Sequence, residues 1–152
     1  MSITRIDSNG LNESHYSAEA CIVWCFDART SGDLDDFLSN RGFTRADVIK
    51  VAGGAKALAF NQSVAKSAEE IEAGLSAREF LLNQIETSIR LHGPKLVVLM
   101  LHVDCGGYGY SKAFSSPEAE LTHHENELEA AKEFLANKLP NGITIETVLV
   151  VR

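Results

Sequence analysis

Two short segments carry residues that could do chemistry together. One reads Cys25-Phe26-Asp27-Ala28-Arg29, the other His102-Val103-Asp104-Cys105-Gly106-Gly107. Two thiols and an imidazole are three ligands for a tetrahedral metal, and a fourth position left open is the arrangement of a catalytic zinc rather than a structural one. His102-x-x-Cys105 is spaced closely enough to bend round one ion, and thiolate with imidazole is a donor set that zinc favours. The competing reading is two buried cysteines and one satisfied histidine that happen to end strands. Asp27 and Arg29 are two residues apart, so in extended chain they point the same way as Cys25. Paired with the guanidinium, the carboxylate stays ionised and fixed in direction. It could then accept a hydrogen bond from metal-bound water or take the fourth position itself; the plainer alternative is a structural ion pair.

The elements that must position these groups can be read from patterning. Residues 20–25 and 96–101 are apolar runs preceding the two segments, and 96–101, apolar on both faces, reads as a central parallel strand covered by helices on both sides. Ser31 can cap a helix carrying Leu34, Phe37 and Leu38, with Gly42 as its stop. A short strand over 47–52 ends at Gly53-Gly54. A loop and a helix over 64–73 follow. Ser76-Ala77-Arg78-Glu79 has the form of a capping box opening a further helix with Phe80, Leu82, Ile85 and Ile89, ended by Gly93-Pro94. Ser116-Pro117-Glu118 starts another, striped by Leu121, Leu128, Ala131, Leu135 and Leu139, and 143–151 is the last strand. Strands alternating with helices predict an α/β fold with a mostly parallel central sheet. In such sheets ligands sit beyond the carboxyl ends of the strands, where Cys25, Gly53 and His102 all fall.

Bulk properties narrow the function. The formal net charge is −7 and no Lys/Arg cluster occurs, which argues against nucleic acid and anionic membrane surfaces. No apolar run approaches the ~20 residues of a transmembrane helix. The first residues lack the basic-then-apolar layout of a signal peptide, so the expected location is cytoplasmic. Three cysteines do not suggest a disulfide framework in such a chain, and metal binding or catalysis fits them better. Cys21, on the same face as Val23 and Cys25 in a strand, would lie about 13 Å from Cys25 at ~3.3 Å per residue and reads as a small buried hydrophobe. His124 reads as a helix-packing histidine, His123 as solvated, and His15 and His92 have no evident partners. Glu125, Glu127 and Glu129 read as a solvated helix face. Gly53-Gly54 lacks the spacing of a dinucleotide fingerprint, and no Walker loop or nucleophile elbow occurs. Gly106-Gly107 allows backbone N–H groups to approach a ligand, or simply a tight turn. No linker divides the chain, so one domain over 1–152 is expected, with 1–18 as an N-terminal arm.

In these residues the chain resembles the β-class carbonic anhydrases. Cys25-Phe26-Asp27-Ala28-Arg29 matches their C-x-D-x-R motif, and His102-Val103-Asp104-Cys105-Gly106 their H-x-x-C-G motif. The similarity runs from about residue 20 to 107, and the closing strand fits. The resemblance implies that Cys25, His102 and Cys105 bind Zn2+. Asp27 and Arg29 become a gatekeeping pair, Asp27 ligating the zinc at rest or turning to Arg29 to admit water. The implied activity is reversible hydration of CO2 to bicarbonate by zinc-bound hydroxide, with backbone N–H groups around Gly53, Gly106 and Gly107 facing substrate oxygen. The implied assembly is a homodimer or higher homo-oligomer. The chain departs from the family pattern at Val51 and Leu101. Those departures keep two alternatives in view: a zinc-dependent hydrolase of COS or CS2, and a zinc-holding module without catalysis. A redox dithiol formed by Cys25 and Cys105 is a third.

Overall fold

Crossover direction decides where the two motifs meet. In the computed structural model, which describes residues 3–11 and 13–152, strands β1 (Cys21–Cys25), β2 (Asp47–Val51), β3 (Leu96–His102) and β4 (Thr144–Val150) form a parallel sheet in the order β2-β1-β3-β4. The chain leaves β1 toward β2, then returns past β1 to build β3 and β4 on the other side. Right-handed crossovers in opposite directions put their helices on opposite faces. Accordingly α1 (Ser31–Arg41) sends Leu34 against Ile22, Trp24, Val98 and Met100 on one face. On the other, α2 (Ala68–His92) and α3 (Pro117–Ala136) send Leu81, Ile85, Leu128 and Leu135 against Val23 and Leu99. The order reverses between β1 and β3, so the loops leaving these strands diverge and open a crevice beyond Cys25 and His102, the topological switch point at which such sheets bind ligands.

β3 meets its expectation: residues 97 to 102 are all buried, with Val97, Leu99 and Leu101 on the α2/α3 side and Val98 and Met100 on the α1 side, as a period of two requires. Cys21 is fully buried with Val23. Cys25 does not share their face. It packs with Trp24 and Cys105 in the other cluster, because it ends β1 and the chain turns away there. The last helix is capped by Ser116, whose hydroxyl accepts from the Ala119 N–H at 3.1 Å, with Pro117 at the first position.

Three readings need correction. The two helices expected over 64–73 and from Ser76 are one helix, Ala68–His92, capped by Ser67, whose hydroxyl accepts from Glu70 N at 3.1 Å. Ser76 lies inside it. Gly74 looked like a break because glycine weakens a helix interior by about 1 kcal/mol relative to Ala; here a Cβ at 74 would overlap the Phe60 ring, so the glycine admits an aromatic contact instead. The buried stripe of α3 runs through Glu120, His124, Leu128, Ala131 and Leu135, one position before Leu121. His92 is not without a partner: its Nδ1 lies 2.7 Å from Asp47 Oδ2. Of the expected arm, residues 1, 2 and 12 lie outside the described residues, and 3–11 with 13–17 form neither helix nor strand.

Candidate metal centre

The end of β1 is fixed by its tryptophan. Trp24, fully buried, donates from Nε1 to the Thr30 carbonyl at 3.1 Å and to its Oγ1 at 3.2 Å, and Thr30 Oγ1 donates to the Asp27 carbonyl at 2.9 Å. The intervening residues form a 3-10 turn, Ala28–Thr30, for which Asp27 is the N-cap. Extended geometry therefore does not align Asp27 with Arg29, as the spacing had implied; the turn does. Asp27 Oδ1 accepts from Arg29 N at 3.0 Å and Nε at 3.1 Å, and Oδ2 from Nη2 at 2.6 Å. Those bonds hold the Asp27 carboxyl down to about 2. The carboxylate is thus ionised and turned to Arg29.

Cys25, His102 and Cys105 converge beside this turn. Their ligand atoms all lie within 4.8 Å of one another, and each residue is buried. His102 Nδ1 is 2.8 Å from the Val103 carbonyl, which fixes the tautomer with the proton on Nδ1 and directs Nε2 inward. Nε2 is buried without a hydrogen-bond partner. A buried polar atom without a partner needs a reason, and two thiols at ligand distance give one: this donor set suits a borderline-soft divalent ion. The neighbouring Cys105 thiol, and after it the facing His102 imidazole and the Asp27 N–H at 3.5 Å from the sulfur, take the Cys25 thiol down to about 4. The same pairing with Cys25 pushes Cys105 up. A cation bound between the sulfurs would deprotonate a coordinating thiol outright.

The flanking glycines allow backbone to approach backbone. Gly54 has φ +54°, and a Cβ there would overlap the Met100 carbonyl oxygen; a Cβ on Gly107 would come within 3.0 Å of Gly53 Cα. A cleft of about 670 Å³ opens over the cluster between Asp27, Arg29, Gly53 and Gly106, with half-exposed Tyr110 and exposed Phe26 at its rim.

Sequence reasoning missed several groups. Asp104 binds Arg29 Nη1 at 2.9 Å through its carboxylate and Nη2 at 2.9 Å through its carbonyl; its φ of +56° is a conformation in which Asp and Asn are enriched. Glu120, 3 % exposed, accepts from Asp104 N at 2.6 Å. An acid four residues before a buried histidine on the helix was its one signal. Tyr108 donates to Glu127 at 3.0 Å, so Glu127 is not a purely solvated charge. His124 is buried and His123 exposed, as expected.

A parallel sheet with a Cys-His-Cys cluster at its switch point is the architecture of a β-carbonic-anhydrase-like protein. The chain is similar to β-carbonic anhydrase isoform I of Trichomonas vaginalis, with a TM-score of 0.52 and 18% identity over 99% of this chain and 82% of that one. It is also similar to the Streptococcus mutans carbonic anhydrase, with a TM-score of 0.47 and 17% identity over 90% and 78%. No curated protein matches it. Residues 16–150 match the family described as putative carbonic anhydrase, and the chain belongs to that family. Among the described residues no helix is long and apolar enough to cross a membrane.

Proposed function

We propose that the protein is a zinc-dependent carbonic anhydrase that hydrates CO2 reversibly to bicarbonate and a proton. The observation that carries this is the inward, unpartnered Nε2 of His102 between two cysteine sulfurs, under an open cleft. Cys25, His102 and Cys105 would hold the metal. Bound there, zinc supplies Lewis acidity that lowers the pKa of water from about 15.7 to about 7.

The chain does the rest. Asp27, kept ionised by Arg29, offers a fixed acceptor that orients the attacking oxygen through its hydrogen. Its low pKa makes it an aligning group rather than a proton store, so the released proton passes to solvent or buffer through the open cleft. Backbone N–H groups around Gly53, Gly106 and Gly107 would meet negative charge developing on substrate oxygen. Phe26 and Tyr110 supply apolar rim for a small uncharged substrate.

Two further assignments belong to this reading. The chain acts as one domain that assembles as a homodimer or higher homo-oligomer, supported by apolar side chains left exposed at Ile3, Ile6, Phe80 and Val64 and tested by sedimentation equilibrium. It works in the cytoplasm, supported by three free cysteines. The activity is tested by stopped-flow CO2 hydration on protein of verified zinc content. A rate above buffer that disappears on chelation is expected; no rate with zinc bound overturns the assignment.

A further inference from the structure

Glu120 is an acid at 3 % exposure in the first turn of α3, and nothing in CO2 hydration calls for a carboxylate there. Burying a charge is unfavourable unless it is hydrogen-bonded, so its partners should tell what it does. Oε1 accepts the Asp104 N–H at 2.6 Å. His124 Nε2 lies 3.6 Å away, beyond a hydrogen bond, and neither ring nitrogen of this fully buried histidine has a partner. The short contact of Glu120 is thus the one with Asp104, the residue immediately before the ligand Cys105.

Every polar group of Asp104 is then engaged. Its N–H goes to Glu120, its carbonyl to Arg29 Nη2, one carboxylate oxygen to Arg29 Nη1 and the other to Ser111 N at 3.0 Å. Arg152 also approaches that carboxylate, at 3.2 Å. The arrangement exists only because Asp104 sits at φ +56°, a backbone state that an L-residue keeps only when its surroundings over-determine it. Glu120 supplies that determination from a rigid helix. A continuous line of contacts runs from α3 through Glu120 and Asp104 to Arg29, and from Arg29 to Asp27, while Cys105 is covalently next to the held residue.

Resting on the proposed metal site, we infer that Glu120 is a positioning residue: it locks the turn at Asp104, and through it sets both the retention of metal by Cys105 and the placement of Arg29 over Asp27. Groups that orient metal ligands from behind typically change affinity or activity by about 10- to 100-fold when removed.

The test compares Glu120→Ala, Glu120→Gln and Leu135→Ala in the full chain. Leu135 is buried on the same helix and touches none of these groups, so it reports what loosening α3 does by itself. Zinc transfer to a chromophoric chelator and the visible spectrum of the cobalt-substituted protein are read alongside CO2 hydration. Glu120→Ala should release zinc about 10- to 100-fold faster and shift the cobalt spectrum. Glu120→Gln, whose side-chain carbonyl can still accept from Asp104 N, should restore both to within a few-fold. Leu135→Ala should lower the melting temperature without either change. Combined with Arg29→Ala, Glu120→Ala should cost no further turnover per bound zinc, because its effect on turnover passes through Arg29. Equal effects from Glu120→Ala and Leu135→Ala, or additive losses with Arg29→Ala, overturn the inference. If Glu120→Ala does not fold, Glu120→Leu, which keeps much of the buried volume but offers no acceptor to Asp104 N, takes its place: fast zinc release from Glu120→Leu beside near wild-type release from Glu120→Gln supports the inference, and equal release from the two overturns it. Failure of the wild-type chain to bind zinc at all is a separate result, which removes the metal reading itself.

Discussion

The two ends of the sheet carry polar clusters of opposite character. At the amino end, Asp47 begins β2 and accepts from Tyr16 OH at 2.6 Å and Ser88 Oγ at 2.6 Å, with His92 Nδ1 at 2.7 Å and the His92 and Tyr16 rings 4.0 Å apart. Both carboxylate oxygens are used, and the cluster ties the arm and the end of α2 to the sheet edge. At the carboxyl end, Cys25, His102 and Cys105 crowd within 4.8 Å and one imidazole nitrogen is left over. Both clusters contain a histidine, set against a carboxylate at the amino end and against two thiols at the carboxyl end. What separates them is closure: a network whose members satisfy one another is structural, while one with a buried remainder invites a ligand.

The sharpest way to break that contrast is to remove a donor from the open cluster. Cys105→Ser replaces a thiolate ligand by a poorly ionised hydroxyl, and a site with two remaining soft ligands should not retain zinc. We expect metal content near zero after dialysis and CO2 hydration below about 1% of wild type, a loss at the lower end of what metal-assisted catalysis contributes. Wild-type metal content in this variant would mean that the three side chains do not form the site.

A smaller effect separates the proposed ligands from the proposed gate. Asp27→Ala leaves all three donors in place and removes only the acceptor held by Arg29. Zinc should stay stoichiometric while kcat falls about 10²-fold, the low end for a positioned proton-interacting group. Unchanged turnover would reduce Asp27 and Arg29 to the plain ion pair considered from sequence.

How far the sequence spoke follows the same division. The two motifs and the strands that end in them were legible, because 96–101 is apolar without interruption and strand ends in a parallel sheet converge on one edge. The helix boundary at Ser67 was not, because Gly74 weakens the helical pattern locally and only the Phe60 ring, 14 positions earlier, explains it. Asp104, Glu120 and the Asp47 cluster were not legible either. Arg29 and Asp104 are 75 residues apart, and Asp47 and His92 are 45 apart; the first pair also depends on a single left-handed residue. The facing of Cys25 was misread because alternation holds inside a strand and fails where the strand ends.

The closed cluster gives the smallest prediction and the cleanest control. Burial pushes the Asp47 carboxyl up, but the bonds from Ser88, Tyr16 and His92 together outweigh it and its pKa is lowered. The ionised form is therefore favoured more in the fold than in the unfolded chain, whose Asp titrates near 3.9. The unfolded chain binds more protons as pH falls through that region, so the stability from Asp47 is complete above about pH 5 and is lost as pH drops through the lowered folded value. Asp47→Asn keeps one carbonyl acceptor and loses the charge, and should cost about 1–2 kcal/mol at neutral pH, read from urea unfolding, with a shallower loss between about pH 5 and pH 3. Activity per bound zinc should be unchanged. If Asp47→Asn instead lowers turnover while zinc stays bound, the amino-end network reaches the carboxyl-end site through β1 or β2, and closure does not isolate it.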